Sequence, residues 1–174
     1  MRVEDVFTYI KNPGDTPFLT TEFLDVNIRL FHSNPFYRGI IGQINGALKA
    51  LALENLEGYG LPYGISGANI AVPLNIIGIV HNRGTKHAFV EIMMNPRIFA
   101  WSAKTEVARS NCGSLRLPEP IPVRRYSTVA VEFFDEEGHH KTKYSLDRAH
   151  TGFTLQHEVD HNRGILITER EAVP

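Results

Sequence analysis

The chain has 174 residues, of which 43% are hydrophobic and 21% charged, and this is the size and composition of one globular domain, so we expect residues 1–174 to form a single domain. The formal net charge is −1, and without a basic excess we expect no specific nucleic-acid partner. No segment approaches the roughly 20 apolar residues of a membrane span, and the single cysteine excludes an intrachain disulfide, so we expect a cytoplasmic protein without a membrane partner.

The first predicted element is a helix that follows a turn-rich N-terminal segment. Ser33 or Asn34 is a candidate N-cap, and Pro35 suits the first helical turn. Gly58 is a plausible end of this helix. Apolar residues at close to helical spacing predict the stripe that packs on a sheet: Phe36, Ile40, Ile44, Leu48 and Leu51.

Strands and one further helix make up the rest of the chain. Segments rich in Val, Ile and Phe and separated by turn residues predict strands at about 69–81, 87–94, 126–134 and 141–146. A second helix is expected from Asp147, a possible N-cap, to Arg163, with Gly164 as its stop. The order of helix, strands and helix favours an α+β fold with a largely antiparallel sheet.

The sequence LQHEVDHNRG, residues 155–164, contains the strongest chemical pattern of the chain. His157 and His161 are four positions apart, so on a helix they can present two imidazoles to one metal ion. Glu158 could take a proton from a water on that metal and pass it to a leaving nitrogen. The pattern has only three fixed positions and also arises by chance. The nearest soft candidate for a third ligand is Cys112.

Several motifs together resemble the peptide deformylase family. The run QHEVDHNRGI looks like the third signature of that family, in which QHE-x-DH is followed by Gly and an apolar residue. GYGLPYGISG is similar to the first signature, GxGxAAxQ, and SNCGSLRLP stands in the place of the second, EGCLS. The sequence MNPRI resembles the Asn-Pro that precedes the second signature. The motifs follow the family's order from about residue 36 to 167.

The resemblance implies mostly antiparallel sheets packed around a central HExxH helix, and a hydrolase that removes the N-formyl group from the N-terminal methionine of nascent polypeptides. Cys112, His157 and His161 would be the metal ligands, and Glu158 would be the general acid and base that activates the metal-bound water. The family uses ferrous iron, although zinc or nickel can occupy the site. Ligand softness alone would have favoured zinc.

Two of the three signatures are altered in this chain. The family's oxyanion-stabilising glutamine falls at Ile65 in ungapped alignment, and a shift in the loop could bring Ser66 or Asn69 into its role. Loss of one oxyanion donor typically costs about 100- to 1,000-fold in rate. In the second signature Leu becomes Gly113, which keeps the backbone N–H, and Glu becomes Ser110. The arginine that pairs with this glutamate, Arg124 or Arg125, then needs another partner.

The resemblance also implies a substrate site beside the motif helix. Backbone at Gly60 would bind the formylated end of the peptide. The pocket for the first side chain would be more polar than one built for methionine. Its candidate residues are Tyr59, His150, Phe153 and Thr154.

Two other functions stay open on the sequence. The chain could hydrolyse another N-acyl substrate, or it could be a catalytically weak relative that binds nascent chains or the ribosome near the exit tunnel. The chain stops soon after Ile167 and so resembles the short forms of the family without the C-terminal helix. Trimmed forms of this kind occur in phage genomes as well as in cells, so the cytoplasm concerned could be that of a phage host.

Overall fold

The computed structural model describes residues 19–53, 63–115, 117–149 and 151–172. Of the helices whose full extent lies in these residues, α1 (Ile28–Ser33) and α2 (Pro35–Leu53) precede the strands, and α3 (Gly152–Asn162) follows them. The strands between them are β1 (Gly64–Ser66), β2 (Ile76–His81), β3 (Phe89–Trp101), β4 (Thr105–Ser110), β5 (Ile121–Tyr126), β6 (Val129–Phe134) and β7 (His140–Leu146). Short 3-10 helices lie at Gly67–Ile70 and Ile167–Arg170.

Helix α2 begins where the sequence predicts. The side-chain oxygen of Asn34 accepts hydrogen bonds from the backbone N–H groups of Phe36 (3.0 Å) and Tyr37 (3.1 Å), so Asn34 is the cap. The predicted apolar stripe is confirmed in its second half, where Leu48 and Leu51 are buried. It is wrong at its start, because Phe36 and Ile40 are 77% and 40% exposed. A polar residue at a buried position conceals the true stripe, which consists of Ile41, Asn45, Leu48, Leu51 and Ala52. The predicted stop at Gly58 lies outside the described residues.

All strand pairs of the two sheets are antiparallel. The larger sheet has the order β1-β2-β3-β6-β7, and β4 pairs with β5 in a separate hairpin. The α+β class with antiparallel sheets is therefore confirmed. The predicted strand over 69–81 is wrong in its first half: Ala71 adopts a left-handed conformation (φ 53°), Pro73 has no N–H, and the strand begins only at Ile76.

The larger sheet lies between α2 and α3. Alternate residues of β2 point to opposite faces, so Ile76 and Val80 join the cluster against α2, whereas Ile77 and Ile79 join Leu155 and Val159 of α3. This two-sided burial explains why the strand is a continuous apolar run. None of the described helices is long and apolar enough to cross a membrane.

Helix α3 starts five residues later than predicted. Thr151, not Asp147, is its N-cap, and the Gly152 N–H donates to the carbonyl oxygen of Asp147 at 2.7 Å. A Cβ on Gly152 would lie only 2.3 Å from the carbonyl oxygen of Leu146, so the chain enters the helix too tightly for any other residue. The predicted stop is confirmed: Gly164 has φ +70° and its N–H donates to the His161 carbonyl.

Candidate metal centre and cleft

Three potential metal ligands converge at the middle of the fold. His157 and His161 lie one turn apart on α3, and their Nε2 atoms are 3.2 Å apart. Cys112, in the loop between β4 and β5, brings its sulfur to 3.4 Å from Nε2 of His161. The three donor atoms all lie within 4.8 Å of one another. The structure therefore brings together the three residues that the sequence analysis selected as ligands.

The spacing of these atoms fits a tetrahedral metal site. Metal–nitrogen bonds of about 2.0–2.1 Å and a metal–sulfur bond of about 2.3 Å would separate two nitrogens by ~3.3 Å and a nitrogen from the sulfur by ~3.6 Å. The distances of 3.2 and 3.4 Å between the same atoms are close to these values. Two imidazoles and a thiolate are also a donor set that holds divalent transition metals.

Burial sets the protonation of the ligands. It lowers the pKa of His157 well below 6.5 and that of His161 to about 4, so both imidazoles are neutral at pH 7 and offer lone pairs. Burial raises the pKa of the Cys112 thiol to about 11, although hydrogen bonds from Leu115 and Ser114 act to lower it. A metal ion must therefore displace a proton from Cys112 when it binds.

The side chain of Glu158 projects from α3 towards β1. It is 5% exposed, and burial raises its carboxyl pKa to about 8, a shift that the charge of Arg125 only partly offsets. A Cβ on Gly64 would lie 2.7 Å from Cγ of Glu158 and 2.8 Å from its Oε1. The absence of a side chain at Gly64 therefore lets β1 pass directly over the Glu158 carboxylate.

A buried ionic network fixes α3 from its other side. Asp160 forms ion pairs with Arg125 of β5 and with Arg170, whose Nη2 is 2.9 Å from the second carboxylate oxygen. Asp160 is therefore the partner of Arg125 in place of the family's glutamate, which is Ser110 in this chain. Arg124, the other candidate, is exposed. The Gln156 amide accepts from the Tyr126 N–H and donates to its carbonyl, both at 3.0 Å, so α3 is also tied to the end of β5.

A chain of polar side chains links the first altered motif to the metal-ligand loop. The backbone N–H of Ser66 donates to Oδ1 of Asn69 (2.8 Å), as does the Ser66 hydroxyl (3.3 Å). These bonds turn the amide nitrogen of Asn69 towards Ser114, whose hydroxyl oxygen it reaches at 2.9 Å. Ser114 is also among the groups that act to lower the pKa of the Cys112 thiol. The amide of Asn69 is thus oriented with its nitrogen on the side of the metal-ligand loop.

Ile65 lines the cleft, but its side chain points to the opposite face of β1 from the metal ligands. Its side chain is 3% exposed and belongs to the hydrophobic cluster against α2. Strand alternation places Gly64 and Ser66, not Ile65, on the face of β1 that meets α3. Ser66 is fully buried and its hydroxyl is used to hold Asn69, so Ser66 acts on the site only through that residue.

The ligand cluster opens into one large cleft of about 980 Å³. Gly113, Phe153 and Thr154 line it as the sequence predicts, and so do Asn69 and Ser114. Residues of the edge strands β1 and β4 both line it. Of the predicted substrate-site residues, Tyr59, Gly60 and His150 lie outside the described residues.

Sequence reasoning missed three contributors to this site. Gly64 carries no motif signal, because its importance is the close approach of Glu158, which only the packing reveals. Arg170 lies near the end of the chain and meets Asp160 through the fold alone. Strands β4 and β5, which carry Ala108 and Arg125 to the cleft, were not predicted. Their sequences, TEVARS and IPVRRY, contain charged residues and too few apolar ones to stand out as strands.

Comparison with known proteins points in one direction. A model of the polypeptide deformylase family matches residues 43–173. The peptide deformylase of Streptococcus thermophilus (strain ATCC BAA-491 / LMD-9) is 33% identical over 86 residues, which are 48% of this chain and 41% of that protein. That of Chloroflexus aurantiacus (strain ATCC 29366 / DSM 635 / J-10-fl) is 44% identical over 81 residues, 45% of this chain and 41% of its own length. Each match thus spans about two fifths of the curated relative.

Solved structures share the fold over nearly the whole chain. The actinonin-bound class I type b peptide deformylase from Acinetobacter baumannii has a TM-score of 0.69 and 25% identity, covering 89% of this chain and 92% of that one. A probable peptide deformylase from Synechococcus phage S-SSM7 has a TM-score of 0.66 and 19% identity, covering 88% and 93%. The second likeness is a likeness of fold alone.

Proposed function

The chain belongs to the polypeptide deformylase family, and we propose that it is a metal-dependent hydrolase that removes the N-formyl group from the N-terminal methionine of nascent polypeptides. The observation that carries the proposal is the convergence of Cys112, His157 and His161 within 4.8 Å, with Glu158 following the first histidine and buried against β1. We also propose that residues 1–174 form one domain.

Cys112, His157 and His161 would hold the metal, which we propose to be ferrous iron, with zinc or nickel able to replace it. When bound, such an ion polarises the scissile carbonyl and lowers the pKa of a water molecule. The resemblance to the family supports iron, while the donor set suits several divalent transition metals. Neutral imidazoles support the role of both histidines, because only the neutral ring has a lone pair to give.

Glu158 is the proposed general base and acid. It would accept a proton from the attacking water and deliver it to the nitrogen that leaves when the formyl C–N bond breaks. Burial raises the pKa of this carboxyl to about 8 in the metal-free chain, and the charge of a bound cation would lower it, which would let Glu158 accept and return a proton near neutral pH. Gly64 supports this role because it leaves room for the carboxylate beneath β1.

Two groups are proposed to stabilise the oxyanion. The backbone N–H of Gly113 follows the ligand Cys112 directly in the chain and lines the cleft. The amide nitrogen of Asn69 is the candidate for the donor that the missing glutamine would have supplied. Its orientation is fixed by Ser66, and one of its two hydrogens is used by Ser114, which leaves the second for a substrate oxygen.

The substrate is proposed to bind as an extended strand between β1 and β4. Both are edge strands among the described residues, and an edge offers backbone N–H and C=O groups for pairing with a peptide. Phe153 and Thr154, in the first turn of α3, would receive the first side chain, together with Tyr59, Gly60 and His150. We further propose action in the cytoplasm, or a phage host's cytoplasm, on chains emerging near the ribosomal exit tunnel.

The altered first motif favours one alternative. With no glutamine at the predicted position and a polar Thr154 in the cleft wall, the same metal chemistry could act on another N-acyl group. A relative that binds nascent chains without turnover is a second alternative, motivated by the same missing glutamine.

Formate release distinguishes these functions. Protein loaded with iron or nickel is incubated with formyl-Met-Ala-Ser, beside the Glu158→Ala variant loaded in the same way and the wild type treated with chelator. We expect formate from the loaded wild type only. Release no faster than in the Glu158→Ala control would refute deformylation, and binding of the peptide without release would support the non-catalytic alternative.

A further inference from the structure

The walls of the cleft carry an excess of positive charge that the rest of the chain does not share. The described lining residues include a single carboxylate, that of Glu158, and five arginines or lysines: Arg83, Arg109, Arg125, Lys143 and Arg148. The whole chain has a formal net charge of −1. Cationic side chains are therefore concentrated at the cleft, where a like-charged lining costs stability unless an anion compensates it.

Two of these cations pair with a carboxylate, and a third lies close over an aromatic ring. Arg125 pairs with Asp160, and Lys143 donates to Glu91 at 2.6 Å. The guanidinium of Arg83 lies 4.1 Å from the ring centroid of Tyr63. These side chains shape the cleft and are held in place by contacts within the protein.

Arg109 and Arg148 form no ion pair with a carboxylate of the described residues. Nη2 of Arg109 donates to the carbonyl oxygen of Pro120 at 2.5 Å, and Arg148 stands 5.9 Å from the ring centroid of Phe153. A carbonyl and an aromatic ring orient a guanidinium without neutralising it. Both side chains are exposed and line the cleft, one from β4 and one from the loop before α3, so a bound peptide would pass within reach of them.

We propose that this cleft selects peptides with acidic side chains in the residues that follow the formylated one. The inference rests on the proposed function and names its substrate class. A guanidinium presents paired N–H donors that match a carboxylate, so glutamate or aspartate is the side chain that Arg109 and Arg148 recognise best. Because both arginines are exposed, each ion pair contributes only about 1.5- to 5-fold in affinity, and salt screens it.

Matched peptides test the preference. Formyl-Met-Glu-Glu and formyl-Met-Gln-Gln differ in charge and hardly in size, and formyl-Met-Lys-Lys reverses the charge. For metal-loaded wild type we expect KM to rise in the order Glu, Gln, Lys, with about 2- to 20-fold between the first two at low salt. The difference should shrink at an ionic strength of about 0.5 M. Equal KM values for the Glu and Gln peptides at low salt would overturn the proposal.

Three variants locate the effect. Arg148→Glu should reduce or invert the Glu-over-Gln preference, Arg148→Lys should retain most of it, and Arg38→Glu makes the same charge change on α2, away from the cleft. If Arg38→Glu lowered the Glu-over-Gln preference as much as Arg148→Glu does, the preference would come from the net charge of the protein and not from the cleft. That result would overturn the proposal.

Peptide binding keeps this test separate from catalysis. Dissociation constants for fluorescent versions of the peptides are measured with metal-loaded Glu158→Gln protein. Formate release from none of the peptides would refute the proposed function, while the ratio of dissociation constants still decides the charge preference. An oligonucleotide of equal charge is tested as a competitor beside the unlabelled Glu peptide. If both displace the fluorescent Glu peptide equally well, the cleft is a general polyanion site, and the assignment to acidic peptides is overturned.

Discussion

Replacing Gly64 by alanine should disable the site without touching a ligand. The added Cβ would lie 2.7 Å from Cγ of Glu158 and 2.7 Å from Cγ2 of Thr154, whereas ordinary contact begins at 3.4 Å. Both groups are too close, so each must move away from the new Cβ by about 0.7 Å (3.4 − 2.7) to reach ordinary contact. Both belong to α3, whose position is fixed by Asp160 and Gln156, so we expect the Glu158 side chain to move and not the helix.

The expected magnitude follows from that displacement. A misplacement of about 1 Å in a catalytic group can cost on the order of 100-fold in rate, and overpacking costs about 1–3 kcal/mol of stability. We expect kcat on formyl-Met-Ala-Ser to fall by roughly 30- to 100-fold, while metal content stays at one per chain because Cys112, His157 and His161 are untouched.

Steady-state formate release, metal analysis and thermal unfolding are measured together. Gly46→Ala is the matched control: it lies exposed on α2 with nothing within 4 Å of the added Cβ, and it should gain about 0.5–1 kcal/mol of stability with unchanged kcat. If Gly64→Ala kept kcat within threefold of wild type, Glu158 would not be the general base held beneath β1.

Three further changes probe the ligands, the buried acid and the oxyanion donor. Cys112→Ser should weaken metal binding by at least about 100-fold, because a hydroxyl replaces a thiolate poorly; stoichiometric metal after dialysis would remove Cys112 from the ligand set. In metal-free protein the stability should fall between pH 7 and pH 8. Burial raises the pKa of Glu158 from 4.5 to about 8, so the folded state holds a proton that the unfolded state has released, whereas His157 and His161, with lowered pKa values, are largely neutral in both states. The Glu158 contribution to the slope should be at most about 1.4 kcal/mol per pH unit, diminish as the folded-state pKa is reached, and be absent in Glu158→Gln, and a wild-type slope equal to that of the variant in urea unfolding would contradict this. Asn69→Asp keeps the acceptor for the Ser66 N–H but loses the amide donor, so kcat should fall about 100-fold with little change in metal content, and an unchanged kcat would exclude Asn69 as the oxyanion donor.

The metal ligands could be selected from the sequence because their chemistry is local. His157 and His161 are one helical turn apart wherever the helix lies, and Cys112 is the single cysteine of the chain. The end of α3 was predictable for a similar reason, since Gly164 takes a conformation that few other residues adopt. The α+β class followed from the order of elements, which depends on hydrophobic periodicity more than on exact boundaries.

The environment of the ligands was not predictable in this way. Ile65 was selected by counting positions in a motif, but the face on which a residue points depends on where β1 begins, and a shift by one residue moves every side chain to the other face. The early start predicted for α3 at Asp147 failed because the chain makes a tight turn after β7, in which Gly152 meets the backbone of Leu146 six residues before it. The Asp160–Arg125–Arg170 network is likewise a contact among three separate elements.

The most direct test of the central claim compares two acyl groups on one peptide. Metal-loaded protein is given formyl-Met-Ala-Ser and acetyl-Met-Ala-Ser in separate reactions, and the release of free Met-Ala-Ser is followed with the Glu158→Ala variant as the blank. We predict release from the formyl peptide at least about 100-fold faster than from the acetyl peptide, and no release above the blank by the variant. Equal rates on both peptides, or release that survives the loss of Glu158, would contradict the assignment of this site as a deformylase.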